Sequence, residues 1–88
     1  MEVEYLKSFA TDLKRIQDAS LLRRIERVIQ EVKDARTPQG IRNLKKLDHE
    51  VNAFRIRVGD HRIGFYLIGG RVVFARIANR RDIYKLFP

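Results

Sequence analysis

The side chains with the clearest chemical purpose are basic and phenolic. Arg55, Arg57 and Arg62 lie in the run Phe54-Arg55-Ile56-Arg57-Val58-Gly59-Asp60-His61-Arg62-Ile63-Gly64-Phe65-Tyr66, and Arg80, Arg81, Tyr84 and Lys85 follow near the end of the chain. Apolar and basic residues alternate through the run with a period of two, the side-chain period of a strand whose two faces meet different surroundings. Gly59-Asp60 is a two-residue turn signal that places Val58 opposite His61 in a hairpin. Counting outward, Arg57 faces Arg62 and Arg55 faces Gly64. Arg55, Arg57, Arg62, Gly64 and Tyr66 therefore share one face, and Phe54, Ile56, Val58, Ile63 and Phe65 share the other. Like charges placed opposite each other destabilise a sheet, and a bound polyanion would offset that cost.

The chemistry open to such a face is narrow. The sequence carries no metal-binding motif, no phosphate-binding glycine loop and no nucleophilic triad, and it contains no cysteine. His49 and His61 are the two histidines; His61 sits in the hairpin turn and reads as structural, and Glu50 is the last glutamate, so the basic face has no evident general-base carboxylate. Arginine and tyrosine can still promote RNA cleavage when the nucleophile is the substrate's own ribose 2′-hydroxyl. The protein then aligns the reacting groups and stabilises the added negative charge of a pentavalent transition state, work suited to planar guanidinium donors. Arginine stays protonated and is a poor base, which leaves Tyr84 as the reasonable proton carrier.

The elements that must position these groups follow from hydrophobic spacing. Val3 and Tyr5 alternate with Glu2 and Glu4 in a short first strand at a sheet edge. Leu6, Phe9, Leu13 and Ile16 predict an amphipathic helix over about residues 7–17. Ser20 is the expected N-cap of a second helix, striped by Leu21, Leu22, Ile25, Val28, Ile29 and Val32, with Arg27 and Glu31 paired on its outer face and an end before Thr37-Pro38. The two helices are expected to lie antiparallel and cover the apolar side of the sheet. Ile41, Leu44 and Leu47 fall three apart and predict a helical turn, with a loop to Asn52. Gly69-Gly70 makes a second hairpin with Ile68 opposite Arg71, and an unbroken register would set Arg62 opposite Ile77 and place Val73, Ala75 and Ile77 on the basic face. Parity puts Arg76 on the core side, so it is expected at the rim, paired with Asp12 or Asp48. Asn79 is expected to cap a last turn in which Ile83 and Leu86 or Phe87 dock, bringing Arg80 and Tyr84 near Arg57 and Arg62.

Eighty-eight residues make a single α+β domain, 1–88, with one modest core. The formal charge of +8 is uneven: residues 1–54 hold eleven Lys/Arg against nine Asp/Glu, and 55–88 hold eight against two. The excess thus falls on the C-terminal sheet, and it points to a nucleic acid or an acidic protein partner. The short apolar runs argue against a membrane span, and the lack of cysteine suits a reducing cytoplasm.

The run FRIRVGDHRIGFYLI, the Gly-Gly turn, VVFARI and the closing NRRDIYKLFP resemble the RelE branch of the RelE/ParE superfamily of toxin–antitoxin toxins, and the order of strand, helical pair and antiparallel sheet fits as well. The resemblance implies a fold of the microbial-ribonuclease type and a ribosome-dependent mRNA endonuclease that cuts messages in the A site, inhibits translation and is neutralised by a cognate antitoxin, with no cofactor or metal. By position it matches Arg55, Arg57, Arg62, Arg80 and Tyr84 to the family's site; Arg62, Arg80 and Tyr84 are the expected catalytic residues, and Arg55 and Arg57, with Arg81 and Lys85 of the closing segment, are expected to hold RNA phosphates. Some RelE-like toxins carry lysines in place of Arg55 and Arg57, and a histidine or lysine in place of Asn79; these departures bear on turnover more than on binding. Two other readings stand beside this one: a ParE-like inhibitor of DNA gyrase on the same fold, and a non-catalytic RNA- or ribosome-binding module.

Overall fold

The computed structural model describes residues 1–88. Its elements run β1 (Val3–Tyr5), α1 (Lys7–Lys14), α2 (Ala19–Asp34), a 3-10 turn at Pro38–Gly40, β2 (Leu44–Lys46), β3 (Ala53–Val58), β4 (His61–Ile68), β5 (Arg71–Asn79) and α3 (Ile83–Leu86). The five strands form one sheet in the order β1-β5-β4-β3-β2, mixed because β1 runs parallel to β5 while the other pairs are antiparallel. No helix is long and apolar enough to cross a membrane.

The first hairpin has the expected register, with Val58 opposite His61, Arg57 opposite Arg62 and Arg55 opposite Gly64. Gly59 takes φ +59° in the turn, a left-handed conformation that a residue without Cβ adopts freely. Phe54, Ile56, Val58, Ile63 and Phe65 accordingly join Phe9, Ile25 and Val32 in the main core under the helices. Aromatic rings link its layers: Phe54 stacks on Phe65 at 5.2 Å between centroids, Phe65 meets Phe74 edge-on at 6.2 Å, and Phe74 stacks on Phe9 at 5.4 Å.

Four local expectations are corrected. α1 ends at Lys14, earlier than the spacing of Ile16 indicated. The cap of α2 is Asp18, whose carboxylate accepts the backbone N–H groups of Ser20 and Leu21 at 2.9 and 3.2 Å. Glu31 bonds Arg42 across the fold at 2.6 Å and not Arg27 on its own helix, and that hydrogen bond raises the Arg42 pKa. The segment read as a helical turn is the edge strand β2, entered through Asn43 at φ +61° and paired with β3 so that Lys45 sits opposite Arg55.

The second hairpin begins with Ile68 opposite Arg71 and then slips at Gly64/Phe65. Phe65 pairs with Phe74, yet Gly64 pairs with Arg76, so Ala75 is the extra residue of a β-bulge. Arg62 therefore faces Ala78 rather than Ile77, and Ile77 turns into the main core. Asp12 of α1 supports this irregularity. Its carboxylate accepts from Arg76 Nε at 2.7 Å, Arg76 Nη2 at 3.1 Å and the Ile77 backbone N–H at 3.1 Å. Arg76 thus finds one of the two acids expected for it. The bond from Asp12 raises the Arg76 pKa further above its high ordinary value, against a smaller opposing effect of burial. A raised folded-state value contributes stability that is complete below the unfolded value and lost only as pH climbs through the folded one, so titration of Arg76 leaves stability flat through the neutral range. Asp12→Ala leaves a buried N–H and a guanidinium without their acceptor, and is expected to lower unfolding free energy by about 2–4 kcal/mol in denaturant melts.

Candidate functional site

The face opposite the helices carries two neighbouring features, a docked C-terminus and a cationic pocket. Small residues make the first possible. Ala53, Ala75, Ile83 and Phe87 form a second buried cluster, with Tyr66 and Ala78 packed against it. Phe87 lies so close to Gly64 that a Cβ there would fall 2.4 Å from two ring carbons. Ile83 is fully buried and Phe87 nearly so, whereas Leu86 is exposed, which settles which apolar side chains anchor the closing turn. Asn79 leads into it: its side-chain oxygen accepts the N–H groups of Arg81 and Asp82, each at 2.9 Å. Anchored at Ile83 and Phe87, α3 holds Tyr84 out over the sheet, 70% exposed.

Beside this strap lies a pocket of about 350 Å³ lined by Asn43, Leu44, Lys45, Arg55, Arg57, Arg62 and Tyr84. Cross-strand register assembles it: one row carries Lys45 and Arg55, the next Arg57 and Arg62. Four cations line the pocket, and none of them forms an ion pair with a carboxylate. Arg55 is the most informative of them. It is only 9% exposed, and its guanidinium carbon stands 4.6 Å from the centroid of the Tyr84 ring. Stacking on an aromatic face steadies a guanidinium while leaving its in-plane N–H donors for an anion. Arg62 is held from one end, since Nη1 donates to the carbonyls of Gly59 at 3.0 Å and His61 at 2.9 Å. Its Nε and Nη2 donors make no bond within the protein and stay available for a phosphate oxygen.

The structure thus brings together Arg55, Arg57, Arg62 and Tyr84 of the residues singled out in the sequence. Arg80 and Arg81 line a separate depression with Asp60 and Asn79 at the hairpin tip, where the Arg80 N–H donates to the Asp60 carbonyl at 2.8 Å. Lys85 is exposed on α3 and lines neither cavity. Sequence reasoning missed Lys45, which only the β2 pairing brings beside Arg55. It also placed no general-base carboxylate or histidine on this face, only the phenol of Tyr84. A second depression of about 320 Å³, sharing Lys45, Arg55 and Tyr84 with the first, is lined by His49 and Glu50 of the loop after β2. A histidine and two carboxylates, Asp48 and Glu50, therefore line the same depression as the tyrosine.

The chain is thus a small mixed sheet with one helical face and one cationic, strapped face, and comparison with known proteins identifies its class. Residues 3–84 match the family model described as the ParE toxin of the type II toxin–antitoxin system parDE. The chain is 34% identical to Toxin RelE3 of Methanocaldococcus jannaschii, with all of both chains aligned. It superposes with TM-score 0.81 and 31% identity on the RelB–RelE antitoxin–toxin complex from Methanococcus jannaschii, covering 97% of this chain and 99% of that one. The archaeal RelE–RelB complex from Pyrococcus horikoshii shares the fold at TM-score 0.72 and 17% identity, over 90% and 93% of the two chains. The protein belongs to the RelE/ParE family of type II toxin–antitoxin toxins.

Proposed function

We propose that this toxin is a ribosome-dependent mRNA endonuclease, held inactive by a cognate antitoxin and acting on messages in the ribosomal A site. The observation that carries the reading is the unpaired cationic pocket, in which nearly buried Arg55 has Tyr84 over it and no carboxylate partner. An arginine with 9% of its surface exposed and no counter-ion gives up much of its hydration, and a phosphodiester supplies the missing charge. In the reaction the 2′-oxygen attacks phosphorus and the bond to the 5′-oxygen breaks, leaving a 2′,3′-cyclic phosphate and a 5′-hydroxyl. Arg57 and Arg62 stabilise the equatorial oxygens of the transition state, Arg55 and Lys45 fix the phosphate, and the Tyr84 hydroxyl orients the 2′-hydroxyl and relays its proton to water, while water protonates the departing 5′-oxygen. Arg80, Arg81 and Lys85 hold the backbone beyond the pocket. Solved relatives bound to antitoxins support the partner: an acidic antitoxin segment would cover the same cations.

The test is induced expression with mapping of transcript 5′ ends, set beside a supercoiling assay with gyrase. Discrete cuts within translated messages support the proposal. Loss of supercoiling without cuts would favour gyrase inhibition, the reading suggested by the ParE description of the matching family model. Salt-dependent ribosome binding without either effect would leave a binding module. Tyr84→Phe is expected to slow cleavage about 100-fold while RNA affinity stays near the parent's. His49→Gln measured in parallel apportions the proton transfer: a larger loss there than at Tyr84 would move it to the histidine.

A further inference from the structure

A second cationic cleft opens between α2 and the edge formed by β2 and β3. It has a volume of about 300 Å³ and is lined by Arg24, Arg27, Arg42, Asn43 and Arg57, with Glu31 as its one carboxylate. Glu31 is committed to Arg42 at 2.6 Å, so Arg24 and Arg27 are left without an ion pair. A charged helix face is ordinarily just solvated, but here the charges converge. Arg24 reaches over the first hairpin, where its Nη1 would stand 2.8 Å from a Cβ placed on Gly59. Arg24 and Arg27 are one helical turn apart and open into the same cleft.

The cleft is continuous with the candidate catalytic pocket. Asn43 and Arg57 line both, and Arg57 Nη2 donates to the Asn43 side-chain oxygen at 3.5 Å. We propose that this α2 cleft is an RNA-backbone site, which grips phosphates flanking the scissile one and leads the strand out of the pocket. The inference rests on the endonuclease reading of that pocket. No aromatic ring lines the cleft, so bases find no stacking platform there, and its guanidinium groups match phosphate oxygens irrespective of sequence. An acidic protein segment would also be attracted, but continuity favours RNA. A strand seated at Arg57 must carry its neighbouring phosphates somewhere, and the cleft begins at that same side chain.

The experiment uses the full chain and a single-stranded 2′-O-methyl RNA, which binds but cannot be cut because its 2′-oxygen is blocked. Affinity is measured across a salt series for the parent, Arg24→Gln and the double variant Arg24→Gln/Arg27→Gln. Both side chains are exposed, so the melting curve should match the parent's. Each lost phosphate contact is expected to make the slope of log affinity against log salt shallower by about 0.7, hence about 1.4 for the double variant and half that for the single one. Slopes equal to the parent's overturn the inference while leaving the pocket assignment intact. So does weaker binding of an acidic antitoxin peptide with RNA binding unchanged, which would give the cleft to a protein partner. A parent that binds no RNA would overturn this inference, while the endonuclease reading would still be decided by the transcript ends.

Discussion

Under the endonuclease proposal, Gly64→Ala is expected to abolish cleavage while leaving most of the fold standing. The new Cβ would meet the Phe87 ring at 2.4 Å, a separation no side chain tolerates, and the contact is with the ring's base rather than a flexible tip. β4 is a central strand, paired with β3 and β5, so Phe87 must yield. With it go the 4.9 Å ring contact to Tyr66 and the anchorage of α3, and Tyr84 loses its station above Arg55. Overpacking of this kind typically destabilises by about 1–3 kcal/mol. Displacing an orienting group by about 1 Å can lower a rate on the order of 100-fold, so catalysis should suffer more visibly than the melt. The compensating variant decides the cause. In a Phe87→Ala background the three closest contacts of the added methyl are gone, and Gly64→Ala should then cost little further stability; an equal loss in both backgrounds would show that the close approach is not what excludes a side chain at position 64.

That docking also explains which parts of the fold the sequence announces. The first hairpin is legible because every signal is local: a turn dipeptide, a period of two, and a clean division between Phe54, Ile56 and Val58 on one side and Arg55 and Arg57 on the other. Arg76 is legible as a misfit, since a charge at a core parity needs a partner, and Asp12 supplies it. The bulge at Ala75 is not, because nothing in Phe74-Ala75-Arg76 marks which residue is extra. It becomes visible only when Asp12 takes the Ile77 N–H from a neighbouring helix. Its effect is to exchange Ile77 for Ala78 on the basic face, supplying the small residue that the second cluster packs against. Strand β2 is hidden for a similar reason. Three residues show too little alternation to declare a period, and Leu44 lies as far from Ile41 as a helical turn requires. Lys45 enters the site solely through its pairing with Arg55, a contact between segments that the sequence leaves unrelated.

Arg62→Ala and Arg80→Ala, alike in the sequence as the two arginines closest to the expected chemistry, are expected to differ. Arg62 lines the pocket with Arg55, Arg57 and Tyr84, and its Nη1 bonds to the turn carbonyls fix the guanidinium before substrate arrives. A donor fixed in advance needs no reorganisation as charge develops, and removing one typically lowers kcat about 10²- to 10³-fold. Arg80 lines the neighbouring depression with Asp60, an acid that tempers its field, and should act on the flanking backbone. Its loss should raise KM and reduce salt sensitivity more than it lowers kcat. Arg62→Lys separates charge from geometry: an ammonium keeps the charge but cannot hold the turn carbonyls and a phosphate oxygen from one rigid plane, so it should recover only a small part of the loss. Steady-state cleavage of a programmed ribosome complex gives both constants. Equal losses of kcat at positions 62 and 80 would mean that the reacting phosphate lies at the hairpin tip between the two depressions, and Tyr84→Phe should then be nearly silent.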